Sequence, residues 1–167
     1  AQFPNIRSIC LHNMSIFDSD VEKYMIPFLR AIPKLAEIIF QKCSMLAAKL
    51  IPLLAQHKFK LQVIAAIETD LRAPIMLTLS PIFGEFGLRV LKLNTNAFSD
   101  SGCDALSKTY LNIPNNPVQK IFLQQCAITT RGAVNFLEDC LKKLDTPDKE
   151  GQKTLLGRLS VIDLANN

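Results

Sequence analysis

"LRVLKLNTNAFSDSGCDAL", residues 88–106, carries apolar residues, one asparagine and one glycine at offsets 0, 3, 5, 8, 10, 14 and 18. These offsets hold Leu88, Leu91, Leu93, Asn96, Phe98, Gly102 and Leu106. The same frame recurs from Val118, as Ile121, Leu123, Cys126, Ile128, Gly132 and Phe136. Recurrence in register indicates a chain built from stacked units, so the polar cluster of residues 94–104 is predicted to be scaffold rather than a catalytic site.

Weaker copies of this frame extend the pattern over nearly the whole chain. They start near residues 6, 35, 61 and 159, so that consecutive starts lie 26 to 41 residues apart. That spacing allows each unit to hold one short strand and one helix. The sequence therefore predicts a single α/β domain over residues 1–167, with about five to six repeats starting near 6, 35, 61, 88, 118 and 159.

The segments 88–106 and 118–137, "VQKIFLQQCAITTRGAVNFL", resemble the leucine-rich repeat family in its intracellular, ribonuclease-inhibitor-like form. The resemblance implies a horseshoe-shaped solenoid with a parallel β-sheet on the concave side and helices on the convex side. The physics of the strands agrees, because alternating residues such as Leu91 and Leu93 bury one face of a strand. Parallel stacking then completes the hydrogen bonds of the backbone. The chain begins almost directly on a predicted strand and ends on another, which suggests a fragment of a longer protein.

Polar residues after each strand are predicted to hold the turn that leads into the helix. Asn96 and Asn167 occupy offset 8, where a buried carboxamide can satisfy backbone groups. Cys43 and Cys126 share that offset, so their thiols are expected to be structural rather than nucleophilic. Ser99 or Asp100 is expected to cap the helix that follows.

Two features are expected to disturb the regular pattern. Pro27, Pro52 and Pro81 fall in the first three predicted helices and should shorten or kink them. The segment "KKLDTPDKEGQKT", residues 142–154, is charged and lacks apolar periodicity. We expect a mobile loop there, serving either as a solvated connection or as a docking or modification site.

Composition excludes several classes of function. The formal charge of +4 comes from 19 basic and 15 acidic residues that are scattered along the chain, so no nucleic-acid partner is expected. Charged residues interrupt the most apolar region, which excludes a membrane span. Five cysteines without a CxxC pair fit reduced thiols and an intracellular, cytoplasmic protein, with a secreted effector that acts inside a host cell as the alternative.

No catalytic or cofactor motif is present in the sequence. Cys10 and His12 lie close enough to consider a nucleophile and base, but no orienting carboxylate accompanies them. His57 is best explained as a polar loop residue, and the aspartates as helix caps and solvated groups. We therefore predict no catalytic residue, no cofactor and no metal.

Surface recognition remains, and the frame shows where to look. Residues at offsets 2, 4 and 6 alternate with the buried ones and should face the concave side. Among them we predict these partner-binding residues: Ile39, Ile67, Lys92, Asn94, Lys120, Phe122 and Gln124. An apolar patch is predicted from Ile39, Val63, Ile67, Val90 and Phe122, rimmed by Glu37, Glu68, Lys92 and Lys120.

The leading prediction is a noncatalytic module that binds a protein partner through this surface. The family resemblance also allows an inhibitor, an actin-regulating protein or a nucleotide-sensing receptor. The alternative class is the substrate-recognition or regulatory part of an enzyme system, such as a GTPase-activating protein, a ubiquitin ligase or a bacterial effector. Self-association or additional repeats at the open ends, or membership of a large complex, are further alternatives.

Overall fold

The computed structural model describes residues 3–15, 20–142 and 158–167. In this part of the chain, six strands alternate with five α-helices. The strands are β1 (Ser8–His12), β2 (Glu37–Gln41), β3 (Val63–Ile67), β4 (Val90–Lys92), β5 (Lys120–Phe122) and β6 (Val161–Asp163). The helices are α1 (Ile26–Arg30), α2 (Leu46–Gln56), α3 (Ala73–Ile82), α4 (Ser99–Lys108) and α5 (Thr130–Lys142).

All six strands form one parallel sheet whose strand order follows the chain order from β1 to β6. The register places residues of equal offset in the same row, since Ile38 pairs with Ile64, which in turn pairs with Leu91. The predicted strand positions and their mutual alignment are therefore confirmed across the sheet. The alignment is regular because the residues at offsets 3 and 5 are two positions apart and must both lie on the buried face of every strand.

One face of the sheet is buried against the helices. Side chains at offset 3 lose nearly all contact with solvent, from Ile38 through Ile121. Phe40, Leu93 and Leu123 do the same at offset 5. Neighbouring helices α2 to α5 pack successively against one another and enclose a single apolar cluster with the strands. The opposite face of the sheet carries the half-buried and exposed side chains described below.

Polar side chains and thiols at offset 8 form a ladder that bonds the ends of neighbouring strands; Asn96, Cys43 and Cys126 are buried, whereas Asn167 is exposed. The Oδ1 atom of Asn96 accepts hydrogen bonds from the backbone N–H groups of Thr69 at 3.0 Å and Leu71 at 3.1 Å. Its Nδ2 atom donates to the carbonyl oxygens of Ala66 at 2.7 Å and Leu93 at 2.9 Å. Asn96 is only 1% exposed, which confirms its predicted structural role.

Other residues at offset 8 act in the same way. Asn167 accepts from the N–H of Cys126 at 2.6 Å and donates to the carbonyl of Leu123 at 2.6 Å. The buried thiol of Cys126 donates to the carbonyl of Leu93 at 3.2 Å, and Cys43 donates to Leu11 at 3.1 Å. A thiol thus substitutes for the donor half of the carboxamide, a role consistent with the structural rather than nucleophilic function predicted for these two cysteines.

A left-handed residue precedes each ladder position. At offset 7, Lys42, Glu68, Thr95 and Gln125 have φ values between 54° and 59°. Asn13 and Asn166, at the same offset, have φ values of 51° and 57°. This conformation turns the chain inward from the strand, and it is uncommon for residues other than glycine, asparagine and aspartate. The periodic backbone strain was not foreseen from the sequence because most of these side chains are not typical of such turns.

The predicted helix cap at Ser99 or Asp100 is wrong. Neither side chain accepts a bond from a backbone N–H of the first turn of α4: the Ser99 hydroxyl lies 3.3 Å from the Ser101 hydroxyl, and Ser99 has a left-handed φ of 59°. Asp100 instead accepts two bonds from Thr129, one from its backbone N–H and one from its hydroxyl, both at 2.7 Å. The Thr129 hydroxyl in turn accepts from the N–H of Gly132 at 3.2 Å and so caps α5. Asp100 therefore stabilises the start of the neighbouring helix rather than its own.

The prolines have different effects on the helices that contain them. Pro27 lies in the first turn of α1, which is five residues long and follows a π-helical turn at Val21–Met25. Pro52 lies inside α2, which nevertheless continues to Gln56. Pro81 is in the last turn of α3, where the chain tightens into a 3₁₀ turn at Phe83–Glu85. The expectation of shortening fits α1, whereas α2 is not terminated at its proline.

The loop predicted at 142–154 lies outside the described residues, except for Lys142.

Candidate functional site: the open face of the sheet

Side chains at offsets 2, 4 and 6 form three rows across the face of the sheet that the helices do not cover. The offset-2 row contains Ser8, Glu37, Val63, Val90, Lys120 and Val161. The offset-4 row contains Cys10, Ile39, Ala65, Lys92, Phe122 and Asp163. The offset-6 residues follow as His12, Gln41, Ile67, Asn94, Gln124 and Ala165. We call this surface the open face.

All seven predicted partner-binding residues lie on the open face. Lys120 is exposed, and the other six are half-buried: Ile39, Ile67, Lys92, Asn94, Phe122 and Gln124. The structure divides them into two groups. Ile39 and Ile67 lie on strands β2 and β3, whereas the remaining five lie on or directly after β4 and β5.

An apolar patch occupies the middle of the open face, as predicted. Ile39, Val63, Ile67 and Val90 are each half-buried around Ala65, which is only 2% exposed. Ala65 is shielded because its methyl group is shorter than the side chains on every side of it. The patch is therefore lower at its centre than at its edges, a feature that the sequence analysis did not identify.

A cation and an aromatic ring meet at one edge of this patch. The Nζ atom of Lys92 lies 5.7 Å from the centroid of the Phe122 ring, and the two residues are paired across β4 and β5. The attraction between an ammonium group and an aromatic face amounts to about 0.5–1 kcal/mol at exposed sites. This attraction favours the paired arrangement of the two side chains before any partner binds.

A chain of polar side chains runs beside the aromatic ring. The backbone N–H of Gln124 donates to Asn94 Oδ1 at 3.1 Å, and the side-chain Nδ2 of Asn94 lies 3.4 Å from Gln124 Oε1. Gln124 Nε2 then donates to Asp163 Oδ2 at 2.6 Å. Asp163 was not among the predicted site residues, although its position at offset 4 of the last frame could have identified it.

Charge is distributed unequally over the open face. Glu37 lies on β2, whereas Lys92 and Lys120 lie on β4 and β5. None of these three forms an ion pair with another residue of the described ranges. Glu68, predicted as part of the rim, is instead paired with Lys42, with 3.8 Å between Nζ and Oε2. The unpaired groups remain available to an external partner.

The cysteines separate into one exposed residue and four buried ones. Cys10 and His12 are both exposed on β1. Burial raises the pKa of Cys103 to about 12 and that of Cys126 to about 11. Thiols with such pKa values remain protonated near neutral pH and are poor nucleophiles.

His57 is less isolated than the sequence suggested. It follows the end of α2, and its Nδ1 atom lies 2.8 Å from Nη2 of Arg30, at the end of α1. Because a guanidinium can only donate, Nδ1 is the acceptor in this contact. The histidine therefore links two neighbouring units at the edge of the helical layer, away from the open face.

Within residues 3–15, 20–142 and 158–167, no group of three or more histidine, cysteine, aspartate or glutamate side chains is arranged to hold a metal ion. In the same ranges, no helix combines the length and apolar content needed to cross a bilayer.

The chain was compared with known proteins. No model of a known family matches it, and no curated protein matches it either. What the protein does must therefore be inferred from the chemistry of its own surface.

Proposed function

We propose that this chain is a noncatalytic, leucine-rich-repeat-like module that binds a protein partner through the open face of its sheet. In this proposal the sheet forms the concave side of a solenoid, and the helices form its convex side. The observation that carries the proposal is the half-buried apolar patch around Ala65, bordered by Glu37, Lys92 and Lys120, which form no ion pair within the part of the chain that the structure describes.

The composition of the open face favours a protein over a small ligand. Exposed apolar patches bordered by polar residues are typical of protein–protein interfaces, and aromatic residues are enriched at their energetic centres. Phe122 is the aromatic residue of this face, and Lys92 already contacts its ring. The bonded pair of Asn94 and Gln124 adds polar groups whose positions are set in advance, which reduces the entropy lost on binding.

The proposal also places the protein in an intracellular setting. The buried thiols of Cys43 and Cys126 serve as hydrogen-bond donors in the ladder, a role that requires the reduced form. Free thiols of this kind are characteristic of reducing compartments.

The test compares protein capture by the native chain and by surface variants. Phe122→Ala combined with Lys92→Glu removes the aromatic anchor and reverses the neighbouring charge. Leu77→Ala is the matched control, because Leu77 is 61% exposed on α3, away from the open face. After circular dichroism has verified folding, we expect a set of cell proteins to bind the native chain and the control but not the double variant. An identical set bound by all three would contradict the proposal.

A further inference from the structure

We propose that the partner segment is an amphipathic α-helix that crosses strands β2 to β5. Along one face this helix carries a basic residue, two apolar residues and an acidic residue, spaced three to four positions apart. The inference rests on the proposed function and adds the chemistry and shape of the partner.

The first observation is the order of side chains in the offset-2 row. Glu37 pairs with Val63, Val63 pairs with Val90, and Val90 pairs with Lys120. The row therefore reads acidic, apolar, apolar and basic across four neighbouring strands. A complementary segment must present basic, apolar, apolar and acidic side chains in the matching order.

The second observation is the spacing of that row. Parallel strands lie about 4.8 Å apart, so Glu37 and Lys120 are separated by about 14 Å across the sheet. A helix rises about 1.5 Å per residue, so residues i, i+3, i+7 and i+10 lie at about 0, 4.5, 10.5 and 15 Å along its axis. These four positions along the helix axis match the positions of strands β2 to β5 across the sheet to within about 1 Å.

An extended segment fits the row less well. Side chains on one side of a strand recur about every 6.7 Å, so only three of them span the distance from β2 to β5. One of the four positions would then face no partner side chain. The helix is the regular conformation whose repeat places about one side chain over each strand.

The third observation is the shape and charge of the neighbouring offset-4 row. Ala65 is 2% exposed and lies between Ile39 and Lys92, which leaves a shallow depression for an apolar side chain of the partner. Lys92 adds a second cation on the β4–β5 side, diagonal to Lys120. Asp163 is the acidic group nearest to this end, and its carboxylate already accepts bonds from Gln124 and from the N–H of Ala165.

The experiment is a selection from a displayed library of helical peptides with four randomised positions on one face. Selection is carried out on the native chain, and binders are then measured on Val90→Asp, which places a charge in the apolar part of the row. We expect recovered peptides to lose binding to Val90→Asp and to carry opposite charges at the two ends of the randomised face. A helix can bind in either direction across the sheet, so either charge order along the peptide is consistent with the proposal.

A charge-reversal cycle then tests the ends of the row. Glu37→Lys should weaken these peptides about 3- to 10-fold, and changing their basic residue to an acidic one should restore binding, as expected for rim ion pairs. Glu138→Lys is the matched control, because Glu138 is exposed on α5. This substitution makes the same change of charge as Glu37→Lys, but away from the open face. This control should leave affinity unchanged.

The outcomes separate the two proposals. Binders that ignore Val90→Asp, or a failure to recover any binder from the helical library, would overturn the helix inference, whereas the proposed function is decided separately by the capture test on Phe122→Ala with Lys92→Glu. Binders that depend on Val90 but respond equally to Glu37→Lys and Glu138→Lys would also overturn the helix inference and leave the proposed function standing.

Discussion

Replacing Asn96 by alanine should destabilise the protein far more than any other single change of an asparagine to alanine near it. The substitution removes the acceptor for the N–H groups of Thr69 and Leu71 and the donor to the carbonyl of Ala66. Each buried backbone group left without a partner costs about 1–3 kcal/mol. Three such groups give about 3 kcal/mol at the low end, and losses above about 5 kcal/mol are exceptional for a single substitution, so we expect a loss of about 3–5 kcal/mol.

Two further variants make this prediction specific. Asn96→Cys should cost less than Asn96→Ala by at least about 1 kcal/mol, because Cys126 and Cys43 show that a thiol can bond carbonyl oxygens at this offset. Asn94→Ala is the matched control two residues away. Asn94 is half-buried on the open face, and within the described residues its side chain bonds only Gln124, so its loss should cost less than about 1 kcal/mol.

The measurement is urea unfolding followed by circular dichroism, since the chain contains no tryptophan to report on unfolding. The free energy of unfolding of a typical domain is about 5–15 kcal/mol, so a loss of about 3–5 kcal/mol should shift the midpoint strongly or unfold the variant. The reasoning fails if Asn96→Ala is no more destabilising than Asn94→Ala, or if the cysteine variant is as unstable as the alanine variant.

Three other predictions follow from local geometry. Gly132→Ala should destabilise the native chain, since a Cβ atom there would meet the Asp100 carboxylate. The loss should be smaller in an Asp100→Ala background, where only the Cβ atom of residue 100 remains close, at 3.0 Å. Urea midpoints of the four proteins measure this difference, and equal losses in both backgrounds would contradict the prediction. Thr95→Asn should raise the free energy of unfolding by about 0.5–1 kcal/mol, because Thr95 is β-branched and has a left-handed φ of 59°. An unchanged or lower urea midpoint would show that this backbone conformation does not strain Thr95. A thiol reagent at pH 8 should label Cys10 alone in the folded protein, because the other four cysteines are buried, and all five cysteines in guanidinium. Labelling of more than one thiol before unfolding would contradict this prediction.

The periodicity of the sequence predicted the strands well because burial of one face imposes a local pattern. Offsets 3 and 5 must carry apolar residues in every frame, so that Leu91 and Leu93 reveal both a strand and its buried side. The same logic identified Asn96, because a carboxamide at a fixed distance after a strand has an evident use inside a turn. The open-face residues followed by alternation, without any knowledge of their neighbours.

Contacts between units were harder to foresee. Asp100 was expected to cap its own helix, yet its partner Thr129 lies 29 residues further along the chain. The link between Arg30 and His57 spans 27 residues in the same way. Such pairs depend on how two helices are placed side by side, which no local pattern records.

The sequence by itself determined which residues lie inside, since the alternation and recurrence of apolar side chains are properties of the chain alone. Only the tertiary structure decided how neighbouring side chains share the surface: the low position of Ala65, the stacking of Lys92 on Phe122 and the bond from Gln124 to Asp163. The physical reason is that burial depends on each residue's own hydrophobicity, whereas these contacts depend on distances between strands that are brought together only when the sheet forms.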